Sequence, residues 1–265
     1  MIVDVKDIQE GYVKSETHKH VRTIEFFHPQ SNSLPAKLLS DLAHEITYAG
    51  NDKDVRLIIL TSAGQNFCAG ASFDELLKVT NEKEGTQFFS GFAYIINAMR
   101  KCPKFIIARV HGRCVGGGVG VAAAADYAIA VEGADIRLSE LSLGIVPFVV
   151  GPAIERKIGL SSYSQLAIDS SMWRNGDWAR RKGLFAELHP SVESMEESIA
   201  RLSDTLANYS EEATIELKKM LWHGTENWDT LLLERAALTA KLALTPKARE
   251  VIAAFKNKTK VSTPH

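Results

Sequence analysis

Along the first two thirds of the chain, apolar positions switch repeatedly between a period of two and a period near 3.6. Residues 21–27 alternate apolar and polar side chains, the pattern of a half-buried strand, and a turn cluster follows at His28-Pro29-Gln30-Ser31-Asn32-Ser33. Leu38, Leu39, Leu42, Ala43 and Ile46 then recur at helical spacing and predict an amphipathic helix of about three turns. A continuous apolar run at 57–60 reads as a buried strand, 87–100 as a helix and 105–110 as a further strand. Glycine-rich sequence comes next, then a short helix rich in alanine at 122–125 and a strand at 127–131. This alternation predicts an α/β protein.

Beyond about residue 195 no strand-like run remains, and three helical stretches follow. Ser210 ahead of Glu211 and Glu212 is a helix start, because the hydroxyl caps and the carboxylates favour the positive end of the dipole. Residues 231–244 are apolar almost all round, which predicts cover on more than one side and hence an oligomer interface. Thr245-Pro246 opens a last helix, expected to end near Phe255. Trp173, Trp178, Trp222 and Trp228 read as packing residues, and His18 and His20 as part of an exposed strand edge.

Composition narrows the function without naming it. The 265 residues carry 31 basic and 32 acidic side chains, so a net charge of −1 argues against a nucleic-acid or anionic-membrane partner. The longest nearly apolar run, 119–131, is too short to span a bilayer and contains Asp126. The N-terminus shows neither a basic n-region nor an apolar h-region, so no export signal is expected. Cys68, Cys102 and Cys114 are odd in number and lack a CxxC spacing, which predicts reduced thiols in a cytoplasmic setting.

Three segments are candidates for chemistry. His111 to Gly120 reads HGRCVGGGVG between a buried strand and a small-residue helix, where glycines let backbone amides approach a ligand. The same glycines would also serve close strand–helix packing. A dinucleotide fingerprint fails for want of an acidic residue at a second strand's tip, and no GxxxxGK[ST] occurs. The small-residue turn Asn66-Phe67-Cys68-Ala69-Gly70-Ala71-Ser72 directly follows another buried strand. Two such turns could together form an oxyanion hole. Third is Glu140, set among Leu138, Leu141, Leu143, Ile145, Val146 and Phe148. Desolvation there would make it a general acid/base, the alternative being an exposed loop glutamate. No GxSxG nucleophile elbow and no HExxH is present, so neither a serine triad nor a catalytic metal is expected.

The order and spacing of these segments resemble the crotonase superfamily of enoyl-CoA hydratases and isomerases over essentially the whole chain. Cys68-Ala69-Gly70-Ala71 matches the family's AGA-type turn, Gly116-Gly117-Gly118 its GGG turn, and Glu140 stands where many members place a catalytic glutamate. The resemblance implies a spiral of β–β–α units over residues 1–195 and a helical region over 196–265 that assembles trimers or a dimer of trimers. It implies an acyl-CoA thioester as substrate, with coenzyme A its carrier part and no separate cofactor. It assigns the N–H groups of Ala71 and Gly117 to the oxyanion hole and Glu140 to proton transfer. Phe67, Cys68 and Ala69, with Phe255 and Lys258 of the tail, would meet the CoA. Phe73, Leu76, Phe92, Gly120, Ser139 and Phe148 are positioned to form the acyl pocket. Hydratases of the best-known type carry a second glutamate where this chain has Gly120. The leading expectation is hydration of a 2-enoyl-CoA, with likeness to a bacterial branch assigned as methylglutaconyl-CoA hydratase. Isomerisation of a 3-enoyl-CoA by Glu140 alone and a non-catalytic acyl-CoA-binding role are the alternatives.

Overall fold

The computed structural model describes residues 10–261, with side chains described from 10 to 254. Strand β1 (Tyr12–His18) forms a hairpin with β2 (Val21–Phe27), and His18 lies at its exposed end. Four units of one kind then succeed each other. Each places a strand in a large sheet, follows it with a two-residue strand, and closes with helix. The first is β2, β3 (Ser33–Leu34) and α1 (Ala36–Asn51); the second is β4 (Leu57–Ser62), β5 (Gly70–Ala71), α2 (Phe73–Leu76) and α3 (Glu82–Lys101). The third is β6 (Phe105–Val110), β7 (Cys114–Val115) and α4 (Gly117–Ala124). The fourth is β8 (Tyr127–Val131), β9 (Ile136–Arg137), a 3-10 turn (Leu141–Leu143) and α5 (Gly151–Ile168). After α6 (Gly176–Arg181), strand β10 (Glu187–His189) completes the large sheet, which is ordered β1-β2-β4-β6-β8-β10. It is parallel throughout except for the first hairpin. The short strands pair separately, β3 with β5 and β7 with β9. This is the expected spiral of β–β–α units.

One sheet face is buried under α1, α3 and α4, where Ile58, Leu60, Ile106 and Ala108 meet Leu39, Leu42, Ile96 and Val121. The other presents Leu57, Ile107, Ile129 and Val131 to Met195 and Ile199 of α7 (Val192–Ala207), so the boundary expected at 195 falls inside a sheet-covering helix. Helix α3 begins five residues earlier than its apolar pattern, because its first turn is mostly exposed and is fixed by Asn81, whose side chain accepts from Glu84 N–H at 3.0 Å.

Helix α8 (Glu211–Leu221) starts at Ser210, whose hydroxyl accepts from Ala213 N–H. It is anchored by a buried ion pair: Lys218 Nζ donates to Asp126 Oδ2 at 2.8 Å and to Lys104 O at 2.7 Å. Asp126 also accepts from Ile106 N–H and from Trp222 Nε1, and the Trp222 ring stands edge-on to Trp228. Helix α9 (Trp228–Ala243) packs along α3 through Leu232, Ala236 and Ala240, leaving Leu233 and Leu238 exposed. The last helix, α10 (Pro246–Val261), runs past Phe255, with neither glycine nor proline to stop it before Pro264.

Candidate active site

The spiral stacks three segments distant in sequence. Val115 N–H donates to Cys68 O at 2.9 Å and Gly116 N–H to Arg137 O at 2.9 Å, so the turns after β4 and β6 and the loop after β8 lie side by side. The first turn is held from β3: Ser33 Oγ donates to Ala71 O at 2.9 Å and Ser72 N–H to Leu34 O at 3.0 Å. A β-carbon placed on Gly70 would lie 3.5 Å from Gly117 N, which measures how closely the first two turns approach. Gly117 is the first residue of α4, so its N–H has no acceptor within the helix. Phe92 packs its ring onto the Gly117 α-carbon, where a β-carbon would come within 2.2 Å of the ring.

Glu140 enters this junction from the 3-10 turn. Its Oε1 occupies space over Gly116, where a β-carbon would lie 2.8 Å away. Gly116 itself has φ +53° and ψ −117°, a conformation that side chains disfavour, so glycine is needed there twice over. Oε2 is buried and has no hydrogen-bond partner among the described residues. Burial raises the Glu140 pKa from its ordinary 4.5 to about 7, with its own backbone and the Arg137 charge acting weakly the other way. A carboxylate so placed can both take and return a proton near neutral pH.

Glu140 opens into a pocket of about 640 Å³, counting the space at its mouth. The expected residues Ala69, Ala71 and Gly117 line it, as do Phe73, Leu76, Phe92, Ser139 and Phe148. Phe67 and Cys68 do not: both side chains are fully buried, Phe67 edge-on to Phe26 in the core. Burial also pushes the Cys68 thiol up to about 12. Of Phe67, Cys68 and Ala69 only Ala69 lines the pocket, and the N–H groups of all three are bonded to Arg113 O and Asn32 O. Gly120 is buried one turn further along α4, and Val150 stands in the pocket where a side chain at 120 would reach. The side chains of Phe255 and Lys258 lie outside the described residues.

Several lining residues have little signature in the sequence. Ile145 and Val146, already among the apolar neighbours of Glu140, line it too, and Pro147, Val149 and Val150 continue the same apolar run, a continuity that would have found them. Phe89 lies one turn before Phe92 on α3. Thr239 arrives from α9, about a hundred residues away, with no local signal. Its hydroxyl donates to Arg235 O within its own helix. Among the described residues no group of three His, Cys, Asp or Glu could hold a metal ion, and no helix is long and apolar enough to cross a membrane.

The enoyl-CoA hydratase/isomerase family model matches residues 16–262, and the chain belongs to that family. A probable enoyl-CoA hydratase from Bacillus subtilis is 30% identical over 147 residues, 55% of this chain, so the match spans little more than half (57%) of that relative's length. A mevalonyl-coenzyme A hydratase from Beauveria bassiana is 29% identical over 79% of this chain and 77% of its own. The crystal structure of an enoyl-CoA hydratase from Bacillus halodurans superposes with a TM-score of 0.85 at 21% identity, covering 92% of this chain and 99% of that one, and shows the shared fold.

Proposed function

We propose that this chain shifts the double bond of an enoyl-CoA thioester, converting a 3-enoyl into a 2-enoyl group with Glu140 as the single proton carrier. The observation that supports this most is one largely buried carboxylate, with an unpartnered oxygen and a pKa of about 7, as the single ionisable side chain lining a mainly apolar pocket among the described residues. The Glu140 carboxylate takes a proton from C2, and the electron pair moves through the thioester to its carbonyl oxygen. The N–H groups of Ala71 and Gly117 stabilise that oxygen, each donor contributing on the order of 100-fold in rate. The protonated Glu140 then delivers its proton to C4 as the double bond settles between C2 and C3. Atoms balance without water or a separate cofactor; coenzyme A is part of the substrate, met by the turn at Ala69 and by Phe255 and Lys258 of the tail.

Hydration of a 2-enoyl-CoA is the second reading, favoured by the hydratase names of the relatives. Val150 fills the space beside Gly120, so a second acid there would have no room. A methylglutaconyl substrate would bring its own carboxylate against Leu143, Ile145, Val149 and Val150, beside Glu140, the one ionisable lining side chain among the described residues. An uncharged acyl group suits that wall better. A non-catalytic acyl-CoA carrier would have no use for so costly a carboxylate. Assembly into trimers or a dimer of trimers, in a reducing cytoplasm, belongs to the same proposal, supported by the exposed Leu233 and Leu238 on α9 and the three free, buried cysteines.

Purified protein given 3-enoyl-CoA and 2-enoyl-CoA separately tests the reading. Isomerisation raises the conjugated thioester absorbance of the first and brings the second to the same equilibrium, at unchanged mass in both. Loss of that absorbance from the second, with gain of one water in mass and no reaction of the first, contradicts it.

A further inference from the structure

The pocket wall contains a valine held with unusual firmness. Val150 caps the N-terminus of α5, is 4% exposed, and shares the pocket with Glu140. Its side chain occupies the space over Gly120: a β-carbon on Gly120 would fall 2.4 Å from Val150 Cγ1 and 2.5 Å from its Cβ. Gly120 lies one helical turn beyond Gly117, so Val150 reaches the part of the wall next to that N–H. The loop that presents it is tied down on three sides. Gly151 N–H donates to Pro147 O at 2.8 Å, Tyr163 Oη to the same oxygen at 3.4 Å, and Arg235 Nη1 to Phe148 O at 3.3 Å. A β-carbon on Gly151 would meet Tyr163 Oη at 2.5 Å, so α5 has little room to slide. Val150 is therefore a fixed apolar surface.

An ordered water needs two to four polar partners as well as space. Along this wall Phe148, Val149 and Val150 offer only side-chain carbon, so a water there has no partner but the pocket's polar side chains Glu140, Ser139 and Thr239, the last with its hydroxyl proton already committed to Arg235 O. We propose that Val150 determines reaction specificity by denying water a place beside C3 of the bound acyl chain. The proton taken by Glu140 then returns to carbon, and water does not add to the product. This inference rests on the proposed isomerase reading. The reaction it suppresses is balanced as water oxygen bonding to C3 and a proton to C2 of the 2-enoyl thioester, giving a 3-hydroxyacyl thioester.

The test uses the full chain as wild type, Val150→Thr and Val150→Ala. Threonine keeps the volume and supplies a hydroxyl, whereas alanine supplies room; thermal unfolding checks that each variant folds. Each protein is given hex-3-enoyl-CoA, and the ratio of 3-hydroxyacyl to 2-enoyl product is read by chromatography and mass. Wild type should form hydroxyacyl product as a minor species, and at least one variant should raise the ratio about tenfold or more, a change of about 1.4 kcal/mol in relative barrier. An unchanged ratio in both variants while isomerisation continues overturns the role of Val150 and leaves the isomerase reading standing. Wild type that yields mainly hydroxyacyl product, or does not react, overturns that reading and the inference with it.

Discussion

Replacing Glu140 with Gln should weaken catalysis and strengthen the fold, and the second effect depends on pH. The native protein binds the Glu140 proton more tightly than the unfolded chain does, because burial raises its pKa from 4.5 to about 7. Below the lower value both states are protonated, and the residue leaves stability unaffected. Between the two, stability falls by about 1.4 kcal/mol per pH unit as the carboxylate must be ionised in place. Above about pH 7 the full cost is present, about 3 kcal/mol. Glutamine never ionises, although its NH2 group also lacks a partner, which offsets part of the gain. Urea unfolding of Glu140→Gln should therefore show a stability gain of about 1–3 kcal/mol at pH 8, shrinking to under about 1 kcal/mol at pH 5. Isomerase activity should fall at least about 1000-fold. Wild-type activity should rise with pH through a midpoint near 7, as the base form is populated. A variant equally stable relative to wild type at both pH values would refute the buried, ionising carboxylate on which the site depends.

Gly117→Ala would drive a methyl group into the Phe92 ring and turn the neighbouring N–H; kcat should drop about 100-fold, read in steady-state kinetics. Asp126→Asn leaves Lys218, only 3% exposed at its side chain, without a counter-charge, and should cost about 3–5 kcal/mol in urea unfolding without moving the pH midpoint of activity. An acyl-CoA with a distal carboxylate should bind at least about 100-fold more weakly than its uncharged isostere in calorimetry, because no described lining cation would meet it.

Much of the fold was legible because its periodicity is strong. The strands 21–27, 105–110 and 127–131 occur at those bounds, and the helix pattern from Leu38 to Ile46 is the buried stripe of α1. The first turn of α3 and the short β10 were not legible, since an exposed turn and a three-residue strand leave no apolar period. Around Glu140, local sequence revealed the carboxylate and its apolar neighbours, but could not reveal that Oε2 is unpartnered or that Oε1 sits over Gly116, which comes from another unit of the spiral. Phe67 and Cys68 show the converse limit. The turn they belong to reaches the site, while their side chains point into the core that holds the turn in place.

In the proposed reaction one carboxylate moves a proton between two carbons of a bound thioester. Wild type and Glu140→Gln given the same 3-enoyl-CoA, with product mass and conjugated absorbance read together, test it most directly. Absorbance should rise at unchanged mass for wild type and hardly at all for the variant. A product heavier by one water, or undiminished conversion by Glu140→Gln, would contradict the proposed reaction.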